Sequence, residues 1–145
     1  MLSIGKRSRA QVAAVREQVF DRDDHICVVQ GSIWGTVQPC GGGLTVQHRV
    51  GRGMGGSAQF DAPSSLLAMC AVHNGLAEAS SEFAAYCQRN GLSIPRRVAA
   101  MFPISRIPAR YADGWYLLDG LNRHAIPDMV AVDLMAEIYG EDEDQ

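Results

Sequence analysis

The chain has 145 residues, of which 47% are hydrophobic, so its length and composition fit one folded domain with an ordinary apolar core. No stretch approaches the roughly 20 consecutive apolar residues that a membrane-spanning helix needs, and the first residues lack the apolar core of a signal peptide. We therefore expect a cytoplasmic protein that has no membrane partner.

The charged residues are unevenly distributed along the chain. The net charge is −3, but residues 1–110 carry twelve of the thirteen Lys and Arg residues against seven acids, whereas residues 111–145 carry one base and nine acids. Nearly all of the bases are arginine, which suits bidentate contacts with phosphate. A solvated surface would show the same composition, so charge alone leaves both interpretations open.

The N-terminal third predicts a helix and two short strands. Residues 9–20 place apolar side chains at helical spacing, namely Val12, Val15, Val19 and Phe20. Residues 26–29 are rich in β-branched side chains and predict a short strand around Cys27. Three glycines after Cys40 predict a tight turn, and residues 44–48 alternate apolar and polar side chains as a half-buried strand does.

The middle of the chain predicts a loop followed by two helices. Residues 51–57 are glycine-rich and predict a loop. From Pro63, two serines and a run of helix-forming residues predict a helix that continues to residue 79. Residues 80–91 predict a second helix, in which Phe83, Tyr86 and Cys87 share one stripe and Gly91 ends the helix.

The composition changes at Pro95. Residues 95–110 contain three prolines and four arginines and predict an extended segment, which leads into an aromatic strand at residues 114–120. Residues 126–140 predict a last helix, and an acidic tail follows it. We therefore predict a main domain over residues 1–95 and a C-terminal extension, with an aromatic strand, a helix and the acidic tail, over residues 96–145.

Cysteine and histidine residues have the spacing of metal ligands. Cys27 and Cys40 precede the pair Cys70-Ala-Val-His73, and in a cytosolic chain such residues indicate a metal site rather than disulfides. Three thiolates and one imidazole would complete a tetrahedral zinc site. The four residues could instead be unrelated and buried, since free cysteine is often buried. Cys87 is a competing ligand, although its apolar stripe favours a place in the core.

The order of these residues resembles the HNH endonucleases, in particular the short enzymes of actinobacterial phages. The resemblance covers about residues 14–95 and rests on VFDRDDHIC, Cys40, QHRVGRGMGGS and PSSLLAMCAVHNGLAE. It implies an α+β fold built on a ββα-metal finger, in which a two-stranded hairpin and a helix hold a catalytic divalent ion and a separate zinc braces the hairpin. It also implies DNA as the substrate and a phage terminase or portal as a further partner. If the chain is phage-encoded, its location is the host cytoplasm.

The resemblance assigns roles to the residues around the first strand. His48 would be the general base that deprotonates water, and Arg49 and Arg52 would hold phosphate oxygens. Gly55 and Gly56 would let the backbone approach the nucleic acid. Cleavage of a phosphodiester needs such a base, a cation that stabilises charge on the leaving oxygen, and donors on the flanking phosphate.

Three positions depart from the pattern of the family. Gln47 stands where the family has an acidic or histidine metal ligand, and its neutral amide oxygen weakens metal binding. Ser65 occupies the position of an asparagine that in the family fixes the loop before the helix. A serine side chain can also form a hydrogen bond with the backbone. Asn74 occupies the position of the family's last metal-binding histidine, and its side-chain amide oxygen suits Mg²⁺ or Mn²⁺. Glu78 is either an additional ligand or a solvated helix residue.

The sequence thus predicts a metal-dependent endonuclease that hydrolyses phosphodiester bonds in DNA, with a structural zinc and a catalytic Mg²⁺ or Mn²⁺. The alternative is a zinc-stabilised DNA-binding or phage assembly module whose catalytic metal site has decayed, and Gln47 is the residue that supports it. A third interpretation is a small α+β protein with cysteines in its core.

Overall fold

The computed structural model describes residues 8–51 and 61–140 and shows an α+β protein. Its first part contains α1 (Arg9–Arg22), α2 (Ile33–Val37), β1 (Leu44–His48), β2 (Leu66–Cys70), α3 (Ala71–Ala79) and α4 (Ser81–Arg89). The second part contains α5 (Arg96–Ala99), β3 (Ala109–Tyr111), β4 (Gly114–Leu118), β5 (Arg123–Ile126) and α6 (Asp128–Tyr139). No helix within the described ranges is long and apolar enough to cross a membrane.

A two-stranded antiparallel hairpin runs directly into a helix. β1 pairs with β2 from Leu44 opposite Cys70 to His48 opposite Leu66, and α3 begins at the next residue. All five residues of β2 are buried, whereas those of β1 are half-buried. The hairpin therefore has two chemically distinct ends, one with Cys70 at the start of α3 and the other with His48.

A second sheet of three strands joins the C-terminal residues to the same core. β3, β4 and β5 form an antiparallel sheet in that order. Ala109, Tyr111 and Leu118 from this sheet pack in one apolar cluster with residues such as Leu67 and Phe83. Residues on both sides of the boundary predicted between residues 95 and 96 therefore pack in the same core.

A buried ion pair at the end of α1 connects this helix to both sheets. The Arg22 guanidinium binds both oxygens of Asp23 and donates to the carbonyl oxygen of Leu66 at 2.6 Å. Asp23 in turn accepts hydrogen bonds from the backbone N–H of Ala68 at 3.0 Å and from the Tyr111 hydroxyl at 2.7 Å. Burial, with Asp23 beside the phenol, raises the pKa of Tyr111. These bonds fix β2 relative to β3.

Several predicted elements are confirmed and three are wrong. The strand at residues 44–48, the aromatic strand, α4 and the last helix all form, as does α1, although Val12 lies 49% exposed outside the buried stripe. No strand forms over residues 26–29: residues 26 and 27 are irregular, and residues 28–31 form a turn. Residues 95–110 contain the short helix α5 and a 3₁₀ turn (Ile104–Arg106) and are extended only at their end.

The third error concerns the helix predicted from Pro63. Only a 3₁₀ turn (Pro63–Ser65) forms there, and the helix begins at Ala71. Residues 66–69 are helix formers by propensity, yet the whole segment 66–70 pairs with β1 and is buried. Tertiary pairing thus overrides a weak local preference.

Candidate functional site

Four potential metal ligands meet at the Cys70 end of the hairpin. We refer to Cys27, Cys40, Cys70 and His73 as the Cys₃His cluster, and their ligand atoms all lie within 4.8 Å of one another. Cys27 follows α1, Cys40 lies in the turn before β1, and Cys70 and His73 flank the start of α3. The turn after Cys40 is held against α3, because the carbonyl oxygens of Gly41 and Gly43 accept backbone N–H groups from its first residues.

The geometry of the Cys₃His cluster fits a tetrahedral zinc ion. Zinc–sulfur and zinc–nitrogen bonds of ordinary length place the nitrogen about 3.6 Å from each sulfur in a tetrahedron. Nδ1 of His73 lies 3.8 Å from Sγ of Cys27, 3.6 Å from Sγ of Cys40 and 3.1 Å from Sγ of Cys70. The cluster could therefore hold a metal ion such as zinc.

The surroundings of the cluster favour the metal-binding thiolate at Cys70 only, because burial raises the pKa of the Cys27 thiol and, with Cys27 nearby, that of Cys40 to about 12. Burial alone would raise the pKa of the Cys70 thiol, but hydrogen bonds from the backbone N–H groups of His73 and Gly41 outweigh it and lower this pKa to about 7. The thiolate is the form that binds metal. His73 is fully buried against Phe83, and Nε2 has no hydrogen-bond partner within the described part of the chain. Nδ1 is therefore the nitrogen directed at the sulfurs.

Cys87 does not belong to the cluster. Its side chain is fully buried in the apolar core on α4, next to Phe83 in the same buried stripe. Burial, with Cys27 nearby, raises the pKa of its thiol to about 12. Cys87 is therefore a neutral cysteine of the core and not a fourth metal ligand. The sequence favoured this interpretation.

A cleft of about 410 Å³ lies beside β1 and α3 and brings together four of the predicted residues. Gln47 and His48 line it from β1, and Asn74 and Glu78 line it from α3. The Asn74 amide nitrogen donates to Thr45 Oγ1 at 2.7 Å, which ties α3 to β1. The amide oxygen of Asn74, which carries the available lone pairs, is the atom that can bind a cation.

His48 has a partner that the sequence did not reveal. Its Nε2 lies 3.1 Å from Oδ1 of Asp61, and the two side chains are 31% and 21% exposed. Asp61 is the only acidic residue between Asp24 and Glu78. Its isolation was the only feature of the sequence that could have drawn attention to Asp61. Nothing in the sequence showed that the chain returns to the end of β1 and brings Asp61 to His48.

Arg49 is not placed where it could bind phosphate, which corrects the expected role. Its side chain is completely buried, and the guanidinium donates to the carbonyl oxygens of Gly91 (2.9 Å), Ser64 (3.1 Å), Ile107 (2.7 Å) and Pro108 (3.3 Å). Burial lowers its pKa to about 10, at which it is still charged near neutral pH. Arg49 is therefore a structural residue.

The remaining predicted site residues are Ser65 and three residues of the glycine-rich segment. Ser65 is buried, and its carbonyl oxygen accepts the backbone N–H of Arg49 at 2.8 Å, so it fixes the end of the hairpin. Arg52, Gly55 and Gly56 lie outside the described residues, as does the acidic tail at residues 141–145.

Sequence reasoning did not single out an exposed arginine that contacts one residue of the cleft wall. Arg96, at the start of α5, donates from Nε to the carbonyl oxygen of Gly51 at 2.9 Å. Gly51 itself lines the cleft. This contact places a cationic side chain from the C-terminal part of the chain beside a residue of the cleft wall.

Comparison of the chain with models of protein families, with curated proteins and with solved structures finds no match.

Replacing Cys40 with Ser should remove bound metal without disturbing the core, because Cys40 is the one exposed member of the Cys₃His cluster. We expect the wild-type chain to hold one zinc per molecule, and Cys40→Ser to lose it and melt at least about 5 °C lower. Elemental analysis and thermal unfolding measure both. Cys87→Ala is the control and should keep its zinc although it is also destabilised. Full zinc content in Cys40→Ser would refute the assignment.

Replacing Arg49 with Lys should destabilise the fold by about 2–4 kcal/mol, because one ammonium group cannot reach carbonyls in three separate segments. Urea unfolding measures the change. The matched control is Arg89→Lys, at an exposed position on α4, and it should stay within about 0.5 kcal/mol of the wild type. If Arg49→Lys were as stable as the control, the structural role of this side chain would be wrong.

Proposed function

We propose that this chain is a metal-dependent endonuclease of the HNH type that hydrolyses phosphodiester bonds in DNA. The observation that carries the proposal is the cleft, which collects His48, Gln47, Asn74 and Glu78 from β1 and α3. A hairpin that runs directly into a helix is also the arrangement expected of a ββα-metal finger, with the expected base at the end of its first strand.

His48 is suited to accept a proton from an attacking water molecule. Its side chain is 31% exposed, so water reaches the ring, and its position at the end of β1 holds it at the cleft. A general base of this kind contributes about 10²–10⁴-fold to the rate of a hydrolysis.

The oxygen atoms around the cleft suit a hard divalent cation. Gln47 and Asn74 offer neutral amide oxygens, and Glu78 is the only carboxylate among the residues that line the described part of the cleft. Such an oxygen donor set fits Mg²⁺ or Mn²⁺ rather than zinc. When bound, the ion would supply stabilisation of negative charge on the leaving oxygen. With one charged ligand from the chain, we expect weak binding.

The Cys₃His cluster has a different role in this proposal. Four protein ligands complete a tetrahedral coordination sphere and leave no position for substrate, so a zinc ion there is structural. It would hold the turn after Cys40 to the start of α3 and thereby support the helix that carries Asn74.

Arg96 is our candidate for the phosphate contact that Arg49 cannot make. It is exposed, cationic and anchored to Gly51 at the cleft wall. Arg97 is exposed beside it on α5. Phosphate contacts of this kind position a nucleic acid without reading its sequence.

A second candidate is a zinc-stabilised DNA-binding or phage assembly module. It is favoured by the neutral Gln47 and by the burial of Arg49, since both weaken the expected catalytic arrangement. A terminase or portal partner belongs to this candidate as much as to the first, and cytoplasmic location is proposed for both.

Replacing His48 with Ala should abolish cleavage while DNA binding and folding persist. The assay uses zinc-loaded protein and supercoiled plasmid with Mg²⁺, with Mn²⁺ or with neither, so that the structural zinc is not stripped by a chelator. We expect His48→Ala to cut at least about 100-fold more slowly. His124→Ala is the control, because His124 is an exposed histidine on β5 that pairs with Asp119 and does not line the cleft. A wild-type protein that binds DNA but does not cut it would favour the second candidate, the zinc-stabilised binding or assembly module.

Replacing Arg96 with Ala should weaken DNA binding and raise KM while kcat stays unchanged, because the contact positions the substrate only. The slope of log affinity against log salt should fall by about 1, as expected for one lost phosphate contact. Fluorescence anisotropy over a salt series measures it. Arg9→Ala, an exposed arginine on α1, is the matched control. An unchanged salt slope in Arg96→Ala would remove Arg96 from the interface.

A further inference from the structure

We propose that Asp61 is a positioning residue for His48, which fixes the imidazole tautomer so that Nδ1 is the basic nitrogen. The inference rests on the proposed function for its catalytic meaning. The contact behind it, Nε2 of His48 at 3.1 Å from Oδ1 of Asp61, exists independently of that function.

The chemistry of the pair selects one tautomer. A neutral imidazole carries one N–H group and one basic nitrogen, and an ionised carboxylate only accepts hydrogen bonds. Nε2 must therefore carry the proton that Asp61 accepts. The lone pair then lies on Nδ1, and the proton taken from water goes to that atom.

Both members of the pair are held by well-anchored backbone. His48 is the last residue of β1, opposite Leu66. Asp61 lies two residues before the 3₁₀ turn (Pro63–Ser65), whose Ser65 carbonyl oxygen accepts the N–H of Arg49. The buried Arg49 guanidinium also donates to Ser64 in that turn. The carboxylate and the imidazole are thus presented from two segments that are themselves bonded together.

The environment distinguishes this pair from the other histidine–aspartate pairs. His25 with Asp21, and His124 with Asp119, have short contacts of 2.8 and 2.7 Å, but all four side chains are more than half exposed. Pairs of that kind contribute little, because water competes for both partners. The side chains of His48 and Asp61 are 31% and 21% exposed, so their contact competes less with water and constrains the ring more.

The first test reads the tautomer directly and needs no activity. Long-range ¹H–¹⁵N correlation spectra of the zinc-loaded full chain at about pH 8, without added Mg²⁺, assign the protonated nitrogen of each neutral histidine. We expect His48 to carry its proton on Nε2 in the wild type and to become a mixture of tautomers in Asp61→Ala. Asp119→Ala is the control and should alter His124 while leaving His48 unchanged.

The second test measures plasmid cleavage by the same variants. We expect Asp61→Ala to lower kcat about 10-fold or more while KM for DNA and the melting temperature stay near wild type. Asp61→Glu keeps a carboxylate and should restore part of kcat. A substitution that merely loosened the fold would lower the melting temperature and would not be rescued in this way.

The outcomes separate the two proposals. If His48 is a mixture of tautomers in the wild type, or if Asp61→Ala changes neither its tautomer nor kcat, the inference is overturned while the proposed function stands. A shifted tautomer with unchanged kcat also overturns it. Wild type that carries the proton on Nε2 but cuts no DNA overturns the proposed function, and with it the catalytic meaning of the contact.

Discussion

The buried guanidinium of Arg49 is the interaction on which the rest of this structure depends. Its hydrogen bonds reach carbonyl oxygens at Ser64, Gly91, Ile107 and Pro108, which belong to three segments far apart in the sequence. Buried carbonyls need partners, and one planar group with five N–H donors can satisfy several of them at once. Because Arg49 directly follows β1, its burial also fixes the backbone that carries His48. A side chain suited to phosphate is thus used to build the cleft.

The hairpin separates two kinds of chemistry. The Cys₃His cluster lies where Leu44 faces Cys70, and His48 lies where β1 ends opposite Leu66. Four residue steps along a strand place these ends about 13 Å apart. A zinc ion in the cluster would therefore act on the cleft only through the backbone, by fixing the start of α3. The proposed base and Asp61 belong to the other end, and the cleft extends from His48 to Asn74, which bonds Thr45.

The charges around the cleft distinguish what the proposed enzyme and the proposed binding module each require. Gln47 and Asn74 bring no charge to a divalent cation, and Glu78 brings one carboxylate. Arg49 brings no charge to the surface, so among the described residues the exposed Arg96 and Arg97 are the proposed phosphate contacts beside the cleft. Binding of a nucleic acid thus needs fewer of the observed features than cleavage does. Cleavage additionally requires that His48 lie at the cleft and carry its proton on Nε2. The contact of His48 with Asp61 therefore matters for the proposed enzyme and not for the proposed binding module.

The amino-acid sequence by itself determined the features that depend on only a few neighbouring residues. The Cys-x-x-His pair at the start of α3, the strand over Leu44–His48 and the buried stripe of α4 follow from local patterns, and the structure contains all three. Tertiary structure decided the rest. Residues 66–70 became a strand because β1 offered a partner, Arg49 was buried because three distant segments supplied its acceptors, and Asp61 met His48 because the chain returns to the end of β1. Such contacts depend on which segments pack together, and that information lies in no single stretch of the sequence.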